Sequence, residues 1–497
     1  MIITNIILEI SYFMLSFFNL YFMFLILQEN HYHLNGFLLI LKKEITNKVN
    51  YMLLILLLSL FVESIIVNII LLFIIILFVL IRLKEKYIVK LNITNRIKRM
   101  FFLNLLINIL YMIIFSIYNI DKLFLIYLTY INLLISFIML IPIETFINYK
   151  YKLKAKRKIK KIKPLVIGIT GSAGKTSVKN YLYQLLKDKY LCFMTPKSYN
   201  TVLGICKSIN EEMNELTEIA IIEYGCSHVN DIKKSLKIVK PDISIITNIG
   251  IQHLETFKKV ENIVKEKCLL MENSKVHFYN KLSNYTLRCD KCISFSSEKG
   301  GDYYYEDAKF TKDGTYFTLV NGNKKIKMET NLLGSMNLIN LICCISVCRY
   351  LNINYNYIKY KIKDLKSVSS RLELLTRNNK IIINDSFNSN KNGFVEAISV
   401  LNLFNKSTAI ITPGIVTGGK MMGITNESVA LEIINKVDKC YLVKSNVTKY
   451  FTKVFDDNNY RFKIYESFEK AYKEALSDES LNTILIENDI TDIYRRN

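Results

Sequence analysis

The sequence predicts an α-helical transmembrane domain followed by an α/β protein, on three observations. Apolar runs of membrane-spanning length crowd the first 148 residues. From Pro164 onward, short apolar runs alternate with helical stretches. The first of these runs, Leu165–Thr170, enters a glycine-rich turn and then a helical pattern from Thr176 to Leu186.

A spanning helix needs about 20 mainly apolar residues. Ile6–Leu27 meets this, and Phe101–Tyr118 and Leu123–Ile141 form a pair joined by Asn119–Lys122. Tyr51–Ile81 is long for one helix and short for two, with Glu63 near its middle. A mid-membrane carboxylate is costly, so a hairpin turning at Glu63 is the alternative to one tilted helix, giving five spans or four. Basic residues cluster at 82–99 and 150–163, which places both loops in the cytoplasm. The expected organisation is a transmembrane domain over 1–148, a polybasic juxtamembrane linker over 149–163, a central α/β domain over 164–368 and a C-terminal α/β, Rossmann-like domain over 369–497. The net charge of +23 is concentrated beside the apolar segments, so anionic membrane lipids are the expected partner rather than nucleic acid. All ten cysteines lie after residue 190, in the part expected to be cytosolic, so disulfides are not expected; Cys289 and Cys292 form a lone CxxC without a second ligand pair for zinc.

In the second half, Leu165–Thr170, Ile219–Tyr224 and Asp242–Thr247 read as buried parallel strands, whose carboxyl ends are where ligands bind. The polar motifs stand at those ends. Gly171-Ser-Ala-Gly-Lys-Thr-Ser177 between strand and helix is suited to a nucleotide phosphate: glycines admit the anion, helix-start amides point at it and Lys175 adds a positive charge. Its GxxGKT spacing is shorter than that of the common P-loop. ATP is the expected ligand. Lys312-Asp-Gly314 and Asn321-Gly322 mark hairpin turns in an antiparallel ribbon at the edge of the central domain. On residue type alone, Glu223 also admits a reading as a helix cap, His253 as a loop hydrogen-bonder, Lys267 as a solvated-face lysine, and Asn337 and Asn340 as polar surface.

The ordered set of motifs resembles the Mur ligase family of ATP-dependent amide-bond-forming enzymes, from about Pro164 to the C-terminus. The segments that carry it are Gly168–Thr176, Ser198–Gly204, Glu223-Tyr-Gly225, Thr247–His253, Glu261–Lys267, Gly334–Asn340, Ser370–Glu373 and Asp385–Asn390. The resemblance implies an ADP-forming ligase that activates a carboxylate as an acyl phosphate for attack by an amine. Its nearest branch implies a D-alanyl-D-alanine-like dipeptide added to a cell-wall peptide precursor. It further implies ATP contacts from Gly171, Ser172, Ala173, Gly174, Lys175, Thr176 and Ser177, from Asn337 and Asn340 on the adenine side, and from Arg371, Asp385 and Asn388 in the C-terminal domain. Mg²⁺ would be held by Thr176, Glu223 and His253. Catalytic roles fall to Lys175, His253, Arg371 and Lys267, the last as a carbamylated lysine. The family begins with a domain for the UDP-sugar end of its substrate, where this chain has apolar helices. A precursor linked to lipid, met at the cytoplasmic membrane, is therefore the expected variation. Met336 and Lys391 also depart from the family's usual histidine and proline. The alternatives are addition of an amino acid such as glutamate to another carboxylate, or a membrane-tethered nucleotide-binding scaffold without turnover.

Overall fold

The computed structural model describes residues 91–118, 125–250, 254–282, 292–387, 390–404, 407–416 and 422–487, with isolated helical positions in 20–28 and 66–77. The chain divides into two compact units, residues 1–148 with 492–497, and residues 149–491.

In the first unit, α1 (Asn95–Ile117) begins at Thr94, whose hydroxyl accepts the Ile97 amide at 3.3 Å. Helix α2 (Leu125–Ile162) starts in this unit and passes Pro142 without ending. Among the described residues, two helical stretches are long and apolar enough to cross a membrane, Asn95–Phe115 and Ile131–Ile162. They correspond to the pair read from Phe101–Tyr118 and Leu123–Ile141. The packing is inverted relative to a water-soluble bundle. Phe102, Leu110, Ile117 and Phe146 are exposed, while Asn104, Asn132, Ser136 and Glu144 are buried. Asn108 donates to Asn104 Oδ1 at 2.9 Å and accepts from Asn132 at 3.1 Å, and Arg99 pairs with Glu144. The spans read at Ile6–Leu27 and Tyr51–Ile81, and the 119–122 turn, lie outside the described residues apart from the isolated helical positions.

The second unit begins with the end of α2. The basic segment read as a linker is helical through Ile162, because nothing between Ile143 and Ile162 breaks the helix and lysine and arginine favour it. Its inner face is apolar: Ala155, Tyr151, Ile159 and Ile162 pack in one cluster with Phe193, Ile205 and Ile209.

The strands of this unit are β1 (Leu165–Thr170), β2 (Cys192–Met194), β3 (Ile219–Glu223), β4 (Ile243–Ile246), β5 (Val276–Asn280), β6 (Cys292–Phe295), β7 (Tyr303–Thr311), β8 (Gly314–Asn321), β9 (Lys324–Thr330), β10 (Glu373–Arg377), β11 (Lys380–Asp385), β12 (Thr408–Thr412), β13 (Lys439–Val443), β14 (Phe462–Tyr465) and β15 (Thr483–Glu487). Among the described residues they form two sheets, β2-β3-β1-β4-β5-β6-β7-β8-β9 and β10-β11-β15-β12-β13-β14. The first is parallel from β2 to β7, then antiparallel through β8 and β9 at its edge, with turns where the sequence places them. The second is parallel except for the β10–β11 hairpin.

The helices are α3 (Lys175–Leu186), α4 (Val202–Glu211), α5 (Asp231–Leu236), α6 (Leu254–Phe257), α7 (Val260–Glu272), α8 (Ser335–Tyr350), α9 (Tyr355–Lys363), α10 (Lys391–Leu401), α11 (Met422–Lys436), α12 (Thr448–Asp457) and α13 (Phe468–Ser477). Apolar faces of α3 and α8 fill the core over β1, β3 and β4 through Val178, Tyr181, Leu182, Leu185, Leu338, Leu341 and Ile345. Cys292 is disulfide-bonded, which corrects the expectation of free thiols throughout; the other described cysteines are free.

Candidate active site

The phosphate loop lies between β1 and α3 at the carboxyl end of the first sheet. Its two glycines are required by their surroundings. At Gly171 (φ +154°) a Cβ would stand 2.0 Å from Thr247 Oγ1, and at Gly174 (φ +80°) 2.4 Å from Asn340 Oδ1. The loop is seated on the end of β4: Thr247 Oγ1 donates to the Ala173 carbonyl at 2.5 Å, the Ser172 amide donates to the Asn248 carbonyl at 2.7 Å, and Ser172 Oγ meets both the amide and the carbonyl of Gly250. The β1–β4 adjacency therefore determines the loop's shape. Lys175 folds over the loop, its ammonium 2.8 Å from the Gly171 carbonyl. Burial lowers its pKa, against the charge of Glu223. Ser177, in the same first turn of α3, is buried.

Glu223 ends β3 and is 1% exposed. Its Oε2 accepts from Thr176 Oγ1 at 3.1 Å and from the Lys179 ammonium at 2.9 Å, and its Oε1 accepts from Asn200 at 3.0 Å. Burial pushes the carboxyl up, but the charges of Lys179 and Lys175 and the hydrogen bonds from Lys179 and Asn200 outweigh it and hold the group below its ordinary value. Glu223 is thus an ionised carboxylate beside a hydroxyl, and reading it as a helix cap is replaced by this cluster.

Lys267, on α7, is buried rather than solvated, and its ammonium donates to Ser172 Oγ at 2.5 Å. Burial, together with the nearby charge of Lys175, lowers its pKa to about 8. The neighbouring Glu266 accepts the amides of Asn230 and Ile232 at 2.8 Å each, so α7 carries one acid that caps α5 and one base that faces the loop.

The α8 asparagines divide. Asn340 is buried against Gly174. Asn337 accepts from Tyr181 Oη at 2.9 Å and donates to the Leu333 carbonyl at 3.0 Å, which engages both ends of its amide within the core. From the segment before the second sheet, Arg371 lies over the Phe387 ring at 4.5 Å; burial lowers its pKa, while Glu223 and Asp385 act on its charge and oppose this. Asp385 accepts the Leu372 amide at 3.1 Å, and burial pushes its carboxyl up to about 6. His253 and Asn388 lie outside the described residues.

Lys179 and Asn200 are part of the cluster, and sequence reasoning did not assign either a role. A signal existed for Lys179: it follows Lys175 by one helical turn and falls among Val178, Tyr181 and Leu182, where an unpaired lysine would be costly. The donors Thr176 Oγ1 and Glu223 are hard oxygen ligands that suit Mg²⁺, which needs few protein ligands when phosphates supply the rest. Among the described residues no cluster of three His, Cys, Asp or Glu side chains forms a complete metal cage.

With this geometry, residues 169–348 match the Mur ligase middle domain. More particularly, the chain is similar to UDP-N-acetylmuramoyl-tripeptide–D-alanyl-D-alanine ligases. The relative from Borreliella burgdorferi is 30% identical over 295 residues, 56% of this chain and 61% of the relative. That from Buchnera aphidicola is 31% identical over 246 residues, 48% of this chain and 53% of the relative. The chain thus spans between half and two thirds of the length of these two relatives. The fold is shared with MurF ligase from Thermotoga maritima in complex with ADP, at a TM-score of 0.62 and 22% identity over 69% of this chain and 81% of that one.

Proposed function

We propose that this chain is an ATP-dependent, ADP-forming amide ligase that joins a D-alanyl-D-alanine-like amine to the carboxylate of a cell-wall peptide precursor. The observation that carries the reading is the convergence on one loop of Lys175, the Thr176–Glu223 pair and Lys267, with Arg371 close enough for its charge to act on Lys175 and Glu223. In the reaction, a carboxylate oxygen of the acceptor attacks the γ-phosphorus of ATP and the bond to the β-phosphate oxygen breaks, releasing ADP. The amine nitrogen then attacks the acyl carbon, loses a proton, and the carbon–oxygen bond to phosphate breaks. Lys175 and the loop amides hold the transferring phosphoryl group and offset its charge. Arg371 reaches the same charge from the side of the second sheet. Thr176 and Glu223 would hold Mg²⁺, which supplies neutralisation and alignment of the phosphate oxygens. His253 is part of this reading as a further metal ligand, Asn340, Asp385 and Asn388 as nucleotide contacts. With its pKa lowered toward neutrality, Lys267 has an uncharged fraction able to add carbon dioxide, which supports its assignment as a carbamate.

The inverted packing of α1 and α2 supports placement at the cytoplasmic membrane with the ligase in the cytoplasm. The lysines of α2 between 150 and 163 suit anionic lipid, and a lipid-linked acceptor follows from that placement. The test is phosphate release by the detergent-solubilised full-length protein, offered UDP-linked and lipid-linked peptide acceptors with a panel of amino acids and dipeptides, glutamate included. Release requiring both acceptor and amine, and abolished by Lys175→Ala, is expected. Release indifferent to acceptor and amine would refute the ligase reading, and exclusive use of the UDP-linked acceptor would refute the lipid-linked one.

A further inference from the structure

The most deeply buried charge of the site belongs to a residue with no role in the reading above. Lys179 is 0% exposed. Its ammonium makes two contacts, to Glu223 Oε2 at 2.9 Å and to the Lys197 carbonyl at 2.5 Å. Lys197 lies in the segment between β2 and α4, in a left-handed conformation (φ +46°). That segment meets Glu223 at two further points and Gly225 at a third. Thr195 Oγ1 accepts the Glu223 amide at 3.2 Å, Asn200 donates to Oε1, and the Asn200 carbonyl accepts the Gly225 amide at 2.9 Å. The carboxylate is therefore held at both oxygens and at its own backbone.

Oε2 is the oxygen that Thr176 also reaches. A glutamate with three side-chain torsions would otherwise swing on its Asn200 contact, and a buried carboxylate without a counter-charge is costly. A lysine one turn beyond Lys175 supplies both the charge and a second donor to that oxygen. We propose that Lys179 is a positioning residue: it holds Glu223 Oε2 beside the Thr176 hydroxyl, so that the two oxygens face a nucleotide-bound divalent cation together, and ties residues 195–200 to the same carboxylate.

The inference rests on nucleotide binding at the phosphate loop, and its effect is read in binding rather than turnover. ADP affinity of the full-length protein is measured by calorimetry with Mg²⁺ and with EDTA, and their ratio reports metal coupling. Groups that orient metal ligands typically contribute about 10- to 100-fold to metal affinity. Lys179→Met is expected to reduce the Mg²⁺-dependent gain by about tenfold or more, and to change ADP affinity in EDTA by less than about threefold. Glu223→Gln is expected to lose the same gain, and the double variant to match Glu223→Gln within about twofold, because the lysine acts through the carboxylate. The double variant leaves no lone buried charge, so the comparison with Glu223→Gln holds even where Lys179→Met alone unfolds. Metal coupling retained within about twofold in Lys179→Met, or a further tenfold loss of ADP affinity in EDTA for the double variant relative to Glu223→Gln, would overturn the proposal. Failure of the unsubstituted protein to bind ADP would instead remove the ligase reading.

Discussion

Gly171→Ala tests whether the phosphate loop owes its shape to the strand beneath it. The new methyl would stand 2.0 Å from Thr247 Oγ1 and 3.1 Å from both the amide and carbonyl of Asn248. The Thr247 hydroxyl cannot turn away freely, because it is bonded to the Ala173 carbonyl at 2.5 Å and lies 3.3 Å from that of Thr170. Asn248 offers backbone, which cannot rotate aside at all. Overpacking of this kind costs about 1–3 kcal/mol, and a non-glycine residue at this φ about 1–3 kcal/mol more, so a loss of about 4 kcal/mol is expected. Urea unfolding followed by circular dichroism measures it, with ADP calorimetry on the folded variant as a second readout. Thr247→Ala removes the closest contact but neither the backbone contact nor the strain. Gly171→Ala with Thr247→Ala should therefore cost about 1–2 kcal/mol less than the sum of the two singles. A single-variant loss below about 0.5 kcal/mol, with ADP affinity unchanged, would refute the argument.

The remaining expectations concern α7. Lys267 has a folded pKa of about 8 against an ordinary 10.5, so the unfolded chain binds the extra proton between those values and stability gains with rising pH. Relative to Lys267→Met, the unsubstituted protein should gain about 2–3 kcal/mol between about pH 7 and about pH 10; a flat difference would show that the ammonium is solvated. Glu266→Ala leaves two amides without their carboxylate and should cost about 2–4 kcal/mol, with faster hydrogen exchange at Asn230 and Ile232; unchanged exchange at both would remove the capping role.

The strand–loop–helix around Gly171–Ser177 was legible because each part is a local property: apolar side chains in a short run, glycines where the chain must turn, and helical periodicity afterwards. The hairpins at Lys312–Gly314 and Asn321–Gly322 were legible for the same reason. The helical form of the 149–163 segment was not legible, because its run of charge obscures the apolar residues spaced along it. Its apolar face is visible only as Tyr151, Ala155, Ile159 and Ile162, at three- and four-residue spacing, once a partner core is present.

Chain-local chemistry decided that a glycine turn would follow β1 and that lysine and threonine would open the helix behind it. Which strand lies next to β1 was not local. Side-by-side pairing with β4 and β3 brings Thr247 under the loop and Glu223 to Thr176, across separations of more than forty residues that no periodicity encodes. The same burial took Lys179 and Lys267 out of water. A lysine's residue type states its charge, but only the packed surroundings state what that charge must face.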